Sequence, residues 1–494
     1  RGRTWVGTLE GLNLYDPGLD NFHTFQHDPG VPSSLSNNII TTLLEDRSGV
    51  IWIGTLTGGL NKLSDDHNRF QLFPPIASQT PIQADPVQNS MRESLHATHI
   101  HDLQQDRYGD LWIATTLDGL YRFDQDTGIF TRFNHDPENP SSLSGDVVNS
   151  IFEDKSGQLW VGTGNGLSRY DRQAESFEHL PTFARDSVGS IAQDEDGDLW
   201  VATNGCLFRL FLENGKLLIE KKSFAPAEPG INQLFFDSMG AFWIGTPDGA
   251  YVRFPGDQDF TYFTPDPQDP GSLDSHIVYT IFEDQHGTVW LGTIFGGLNR
   301  FDPATRTFTS FTTEDGLPGD WIACILEDRQ GYLWLGTNQG LSQFDPRTET
   351  FRNYDSQDGI QRGEFFSCTK TADGELYFGG LQGINAFYPG EITQNNDPPP
   401  VVITRMNLFN QPHSSDLQPD QRLELNYNEN FISFDFAALD FNAPDNNLYA
   451  YKLEGLDQDW NQVGTRRHAE YPDLEPGEYT FRVRAANNDG IWNE

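Results

Sequence analysis

Cysteine and methionine are scarce, with three of each in 494 residues. Cys206, Cys324 and Cys368 are scattered, without a C-x-x-C pair or a histidine cluster at ligand spacing. That pattern argues against a disulfide framework or a structural zinc site as organiser of the fold. It leaves the redox compartment open, since a large core needs no staples. No cofactor motif is present, and no cofactor or metal is expected. Runs of 18 apolar residues are missing, so no helix in this sequence is apolar enough to span a membrane. Basic residues are few, 32 against 72 acidic, for a formal charge of −40. Such a surface repels phosphate backbones and anionic membranes, which argues against nucleic acid as a partner. A secretory leader is also missing, and the chain is expected to be a piece of a longer protein.

Aromatics and glycine are abundant: 36 Phe, 16 Tyr, 11 Trp and 47 Gly. Acidic disordered chains are poor in aromatics, so this composition describes folded domains, two to four by length, under an acidic skin.

One phrase recurs, D-x-x-G-x-φ-W-φ-[GA]-T, where φ is apolar. It runs from Asp46 to Thr55, Asp154 to Thr163, Asp284 to Thr293 and Asp328 to Thr337, with variants around Trp112, Trp200 and Trp243. A fragment surrounds Trp5, and a ninth copy carries Tyr377 in place of Trp. Glycine stands three residues before the aromatic in all nine. Each copy reads as strand, tight D-x-x-G hairpin with Gly at positive φ, returning strand, and two further strands. Four antiparallel strands in about 45 residues make one propeller blade, and blades must stack around an axis to bury their faces.

The interval between Trp52 and Trp112 is long and contains a polar, Pro-containing stretch. The expected organisation is therefore the last blades of an upstream propeller at 1–74, a connector at 75–98, and a seven-bladed β-propeller at 99–395. A single ring of eight or nine blades is the alternative. The last copy has no evident fourth strand after Phe387, and a strand from the connector is expected to complete it. After Pro398-Pro399-Pro400, period-two alternation at 432–436, 449–453 and 479–485 predicts an Ig-like β-sandwich over 396–494. The fold class is thus all-β throughout.

The repeats, best seen from Glu283 to Asp302, resemble two-component regulator propeller repeats. The segment from Tyr449 through Tyr451 and Leu453 to Trp492 resembles the triple-tyrosine domain that follows them. That resemblance implies the extracytoplasmic, periplasmic sensing region of a membrane receptor, most often a hybrid histidine kinase. It implies a homodimer, attachment to the membrane only through segments outside this sequence, and a soluble ligand such as an oligosaccharide. The chain itself is not expected to be an enzyme.

The recurrent Asp residues read as turn-makers and the anchoring Trp residues as core. Asp194-Glu195-Asp196-Gly197-Asp198 comes nearest to a calcium loop but is too short. Functional residues should break the repeat, on loops entering the inner strands. Asp146, His276, Asp320, Trp321, Arg362, Glu364 and Phe365 are the candidate ligand-binding set. Trp321 would supply a stacking face, and the acidic surroundings favour a neutral or cationic ligand. A protein-interaction scaffold is the alternative function. A propeller lyase or hydrolase ranks below it, because His276 with Glu364 is the one acid–base pairing and their blades are not adjacent.

Overall fold

The computed structural model describes residues 3–18, 20–28, 34–46, 49–63, 71–73, 99–213, 215–225, 229–356, 358–392, 395–414 and 421–493. The expected connector at 75–98 lies outside the described residues. Two compact units are present, one of residues 69–392 and one combining 1–68 with 393–494.

Seven four-stranded antiparallel sheets make up the first unit. We number them blades 1 to 7, with inner strands Ile100–Gln105, Val148–Glu153, Val188–Gln193, Gln233–Phe236, Val278–Glu283, Ile322–Glu327 and Phe365–Lys370. Consecutive inner strands pack side by side, and the seventh packs against the first, so the ring closes at seven blades and not at eight or nine. Its closing strand is Gln71–Phe73, which pairs with Gly383–Phe387. That strand precedes the expected connector, so the ring takes in residues that the sequence reading gave to the upstream propeller. A strand that precedes the first blade in sequence thus completes the last one.

The repeated phrase has one local geometry. Each glycine before the aromatic takes a positive φ, from 80° at Gly287 to 98° at Gly374 among the ring's hairpins, a region that favours glycine. The Asp six residues before the Trp uses one carboxylate oxygen to cap the turn and the other to accept the indole N–H. Asp284 Oδ1 accepts from the N–H groups of His286 and Thr288, and Oδ2 accepts from Trp290 Nε1 at 2.9 Å. The same Asp–Trp bond joins 106 to 112, 154 to 160, 194 to 200, 237 to 243 and 328 to 334. Burying an indole leaves its N–H in need of an acceptor, and the turn supplies one. In blade 7, where Thr371 replaces Asp, Tyr377 instead donates to Glu375 at 2.7 Å.

The second unit holds two three-stranded sheets, Trp5–Thr8 with Gly11–Asp16 and Asn21–Phe25, and Ile40–Glu45 with Ile51–Thr55 and Leu60–Leu63. It also holds the sandwich. One sheet orders Gln411–Ser414, Val401–Leu408, Ile432–Ala438 and His468–Tyr471; the other orders Asn461–Gly464, Leu448–Glu454 and Thr480–Ala486. Phe434, Phe436, Tyr449, Tyr451 and Tyr471 fill the space between them. The buried phenols keep partners: Tyr449 Oη accepts from Ala438 N–H at 3.1 Å, and Tyr471 donates to Asp457 at 2.6 Å. Within this unit Trp52 meets Phe441 edge-on at 5.7 Å, and Lys62 Nζ donates to the Asn442 carbonyl at 2.7 Å.

Candidate functional site

Six of the seven inner strands carry a β-bulge near their first residue, which re-aims the residue at that position. The bulged residues are His101, Asn149, Gly189, Tyr279, Ala323 and Phe366. Repeats built to one plan thus present different chemistry at this level. Blades 1, 5 and 7 offer rings, while blades 2, 3 and 6 offer small or amide groups.

The rings form a connected row at the channel mouth. His99 lies 4.5 Å from Phe366, Phe366 6.1 Å from Trp321, and Trp321 6.3 Å from Tyr279, measured between centroids. His101 stacks below His99 at 6.4 Å. Trp321 is half-buried, and its indole N–H has no hydrogen-bond partner. Burial lowers the affinity of both imidazoles for protons; for His99 the nearby Glu364 carboxylate opposes this, and for His101 the charge of His99 adds to it. The imidazoles therefore favour their neutral form. His101 Nδ1 stands 3.1 Å from the Asn149 carbonyl, which assigns the proton to that nitrogen and leaves Nε2 as an acceptor.

Beneath this row, a side chain of the inner strand in blades 1, 3 and 4 reaches the next blade's backbone. Asp102 accepts from Ile151 N–H at 2.8 Å, Ser190 from Leu234 N–H at 3.0 Å, and Gln233 from Ile281 N–H at 2.5 Å. In blade 6 the corresponding residue is Cys324, and it is disulfide-bonded to Cys368 of blade 7, with Cα atoms 6.0 Å apart. The sequence pointed to no disulfide framework; the structure joins two of the three cysteines in one cross-link between blades, and Cys206 is free. Asp102 keeps some accessible surface through the channel but is otherwise enclosed, and desolvation pushes its carboxyl up to about 7.

The residues proposed from sequence divide into three groups. Asp146, His276 and Asp320 occupy one repeat position and do one job, strapping the loop to the preceding blade. Asp146 accepts from His135 N–H at 2.7 Å, Asp320 from Thr313 N–H at 2.7 Å, and His276 Nδ1 bonds Thr264 Oγ1 at 3.0 Å. Trp321 and Glu364 belong to the channel mouth. Arg362 is exposed, and among the described residues no ion pair joins it to Glu364. Phe365 is 1% exposed and packs in the core against Phe378; its neighbour Phe366 takes the place at the mouth. Sequence reasoning missed Phe366, His99, His101 and Tyr279, although each departs from the small or aliphatic residue of its counterparts. The calcium-like segment is occupied internally: Asp194 binds Asp198 N–H and Trp200, and Asp198 binds Arg209 at 2.7 Å.

Comparison with known proteins agrees with this architecture. Residues 34–57, 94–116, 142–165, 182–205, 272–295 and 316–339 match the two component regulator propeller, and residues 440–494 match the Y_Y_Y domain. Histidine kinase P4 of Formosa agariphila is 23% identical over 507 residues, which cover 98% of this chain and 32% of that protein; the chain spans about a third of this curated relative. The extracellular domain of BT3049 from B. thetaiotaomicron, named as that of a hybrid two component system, superposes with a TM-score of 0.75 at 25% identity, over 100% of this chain and 70% of that one. The extracellular domain of BT4673 from the same organism shares the fold, with a TM-score of 0.51 at 24% identity over 100% of this chain and 65% of that one.

Proposed function

We propose that this chain, built of two-component regulator propeller repeats and a Y_Y_Y domain, is the extracytoplasmic sensing region of a membrane signalling receptor, and that it reads a soluble ligand at the mouth of the seven-bladed channel. The observation that carries this reading is the row His99, Phe366, Trp321 and Tyr279, where the repeat is broken in adjoining blades to place half-buried rings side by side. Stacking rings beside neutral imidazoles and a carboxylate suit a neutral oligosaccharide, whose ring face is apolar and whose hydroxyls need both donors and acceptors.

The inter-blade disulfide supports a location outside the cytoplasm, periplasmic in a bacterium with two membranes, because cytosolic thiols are kept reduced. The contact of Trp52 with Phe441 and of Lys62 with Asn442 gives the sandwich a mechanical hold on a propeller blade. Ligand binding would shift the balance between two placements of the sandwiches in a homodimer, and only a difference in affinity between those placements would transmit anything. The kinase or other output would lie in further segments of the protein. Reading the complete gene tests the receptor assignment. It should encode a membrane-spanning helix and a signalling module after residue 494; a gene without either removes the assignment.

A further inference from the structure

Within each blade, the residue opposite the first residue of the second strand is a core position. Phe123, Leu210, Phe344 and Phe387 stand there in blades 1, 3, 6 and 7. Blade 4 breaks the rule: its residue at this position, opposite Phe242, is Arg253. The guanidinium lies over three rings, 5.7 Å from Trp200, 5.7 Å from Phe242 and 5.4 Å from Phe260. Among the described residues it has no carboxylate partner and no hydrogen bond. Other arginines stacked on blade tryptophans are paired, Arg122 with Glu175 and Arg300 with Glu349, at 3.1 and 3.0 Å. An arginine in place of a core hydrophobe gives up apolar burial, and cation–π contact satisfies none of its five N–H donors.

Those donors border a cavity of about 270 Å³ between blades 3 and 4, lined also by Trp200, Arg209, Lys222, Ser223 and Phe260. Two acidic side chains, Asp194 and Asp196, reach it as well. Asp194 is spent on Asp198 N–H and the Trp200 indole, and Arg209 is spent on Asp198. Lys222 is paired with Glu220, so Arg253 remains the uncommitted cation of the cleft, opposite the Asp196 carboxylate, in a chain whose acidic residues outnumber basic ones 72 to 32.

We propose that this cleft binds a small ligand bearing an oxyanion, a carboxylate or a sulfate ester, held by the Arg253 fork and covered by Phe260 and Trp200. A planar guanidinium matches the two oxygens of such a group, and the cavity admits one ring rather than a chain. This site is separate from the channel mouth and does not depend on the ligand read there.

The test titrates the whole chain with sodium glucuronate, sodium sulfate, glucose, and sodium chloride at matched ionic strength, by calorimetry and by the indole N–H resonance of Trp200. Saturable binding of glucuronate or sulfate, with a Trp200 shift that chloride and glucose do not produce, is expected. Glucuronate alone assigns a carboxylate ligand; sulfate alone assigns a sulfate ester. Arg253→Leu, which restores an apolar residue, should weaken binding at least tenfold. If Arg253→Leu loses its β-sheet circular dichroism, Arg253→Gln is read in its place. Chloride matching both anions, or unchanged affinity in the Arg253 variant, would overturn the proposal.

Discussion

Cys324 and Cys368 are joined across blades 6 and 7, at the position where other blades place a side chain against the next blade's backbone N–H. The bond closes a separation of 44 residues, one repeat, beside the ring seam. Restricting a loop of that length in the unfolded chain contributes about 2–4 kcal/mol. Reduction, or the Cys324→Ser/Cys368→Ser pair, should lower the urea midpoint of the propeller correspondingly. An unchanged midpoint would show that the cross-link does not form.

The Asp–Trp bond makes each hairpin and each blade core one unit. Asp284→Ala would leave the Trp290 indole and two backbone donors buried without their acceptor. A loss of about 2–4 kcal/mol follows from unmet buried donors. Asp302→Ala, in an exposed turn, should cost far less, and equal losses in denaturant titration would contradict this reading.

Asp102 titrates near 7 because burial outweighs its two backbone hydrogen bonds. Its folded carboxyl thus holds a proton that the unfolded chain, with an ordinary value near 4, releases earlier. Its contribution to stability is complete below pH 4 and is lost as pH rises to about 7. Unfolding free energies measured from pH 4 to 8 should fall with pH relative to those of Asp102→Asn. A constant difference between the two proteins would place the carboxyl at its ordinary value.

Phe365 and Phe366 are adjacent and chemically identical, yet they face opposite ways. Phe365→Ala should cost about 3–5 kcal/mol by emptying core volume, while Phe366→Ala should leave stability within about 1 kcal/mol. Denaturation of the two variants separates them, and equal losses would show that Phe366 is also core.

This pair marks how far the sequence could be read. The Gly–Trp phrase was legible because nine copies report the same turn, and Tyr377 could be placed from its Gly374 alone. The ring size followed from counting anchors. The face of Phe366 was not legible, since a bulge between Phe365 and Ser367 decides which neighbour turns inward. Asp146, His276 and Asp320 looked like departures, but they vary in side chain while sharing one strapping role. Cys324 and Cys368 stand one repeat apart with an offset of one residue relative to the bulge, a signal visible only once the register is known. The cleft around Arg253 escaped because its residues are spread over two blades.

Calorimetric titration with fractionated neutral oligosaccharides, in parallel on the intact chain, Trp321→Ala and Phe366→Ala, tests the sensing account most directly. The account predicts saturable binding of at least one fraction, recovered chemically unchanged, and a loss of tenfold or more in each folded variant. Binding that both variants retain in full, or turnover of the bound sugar, would contradict it.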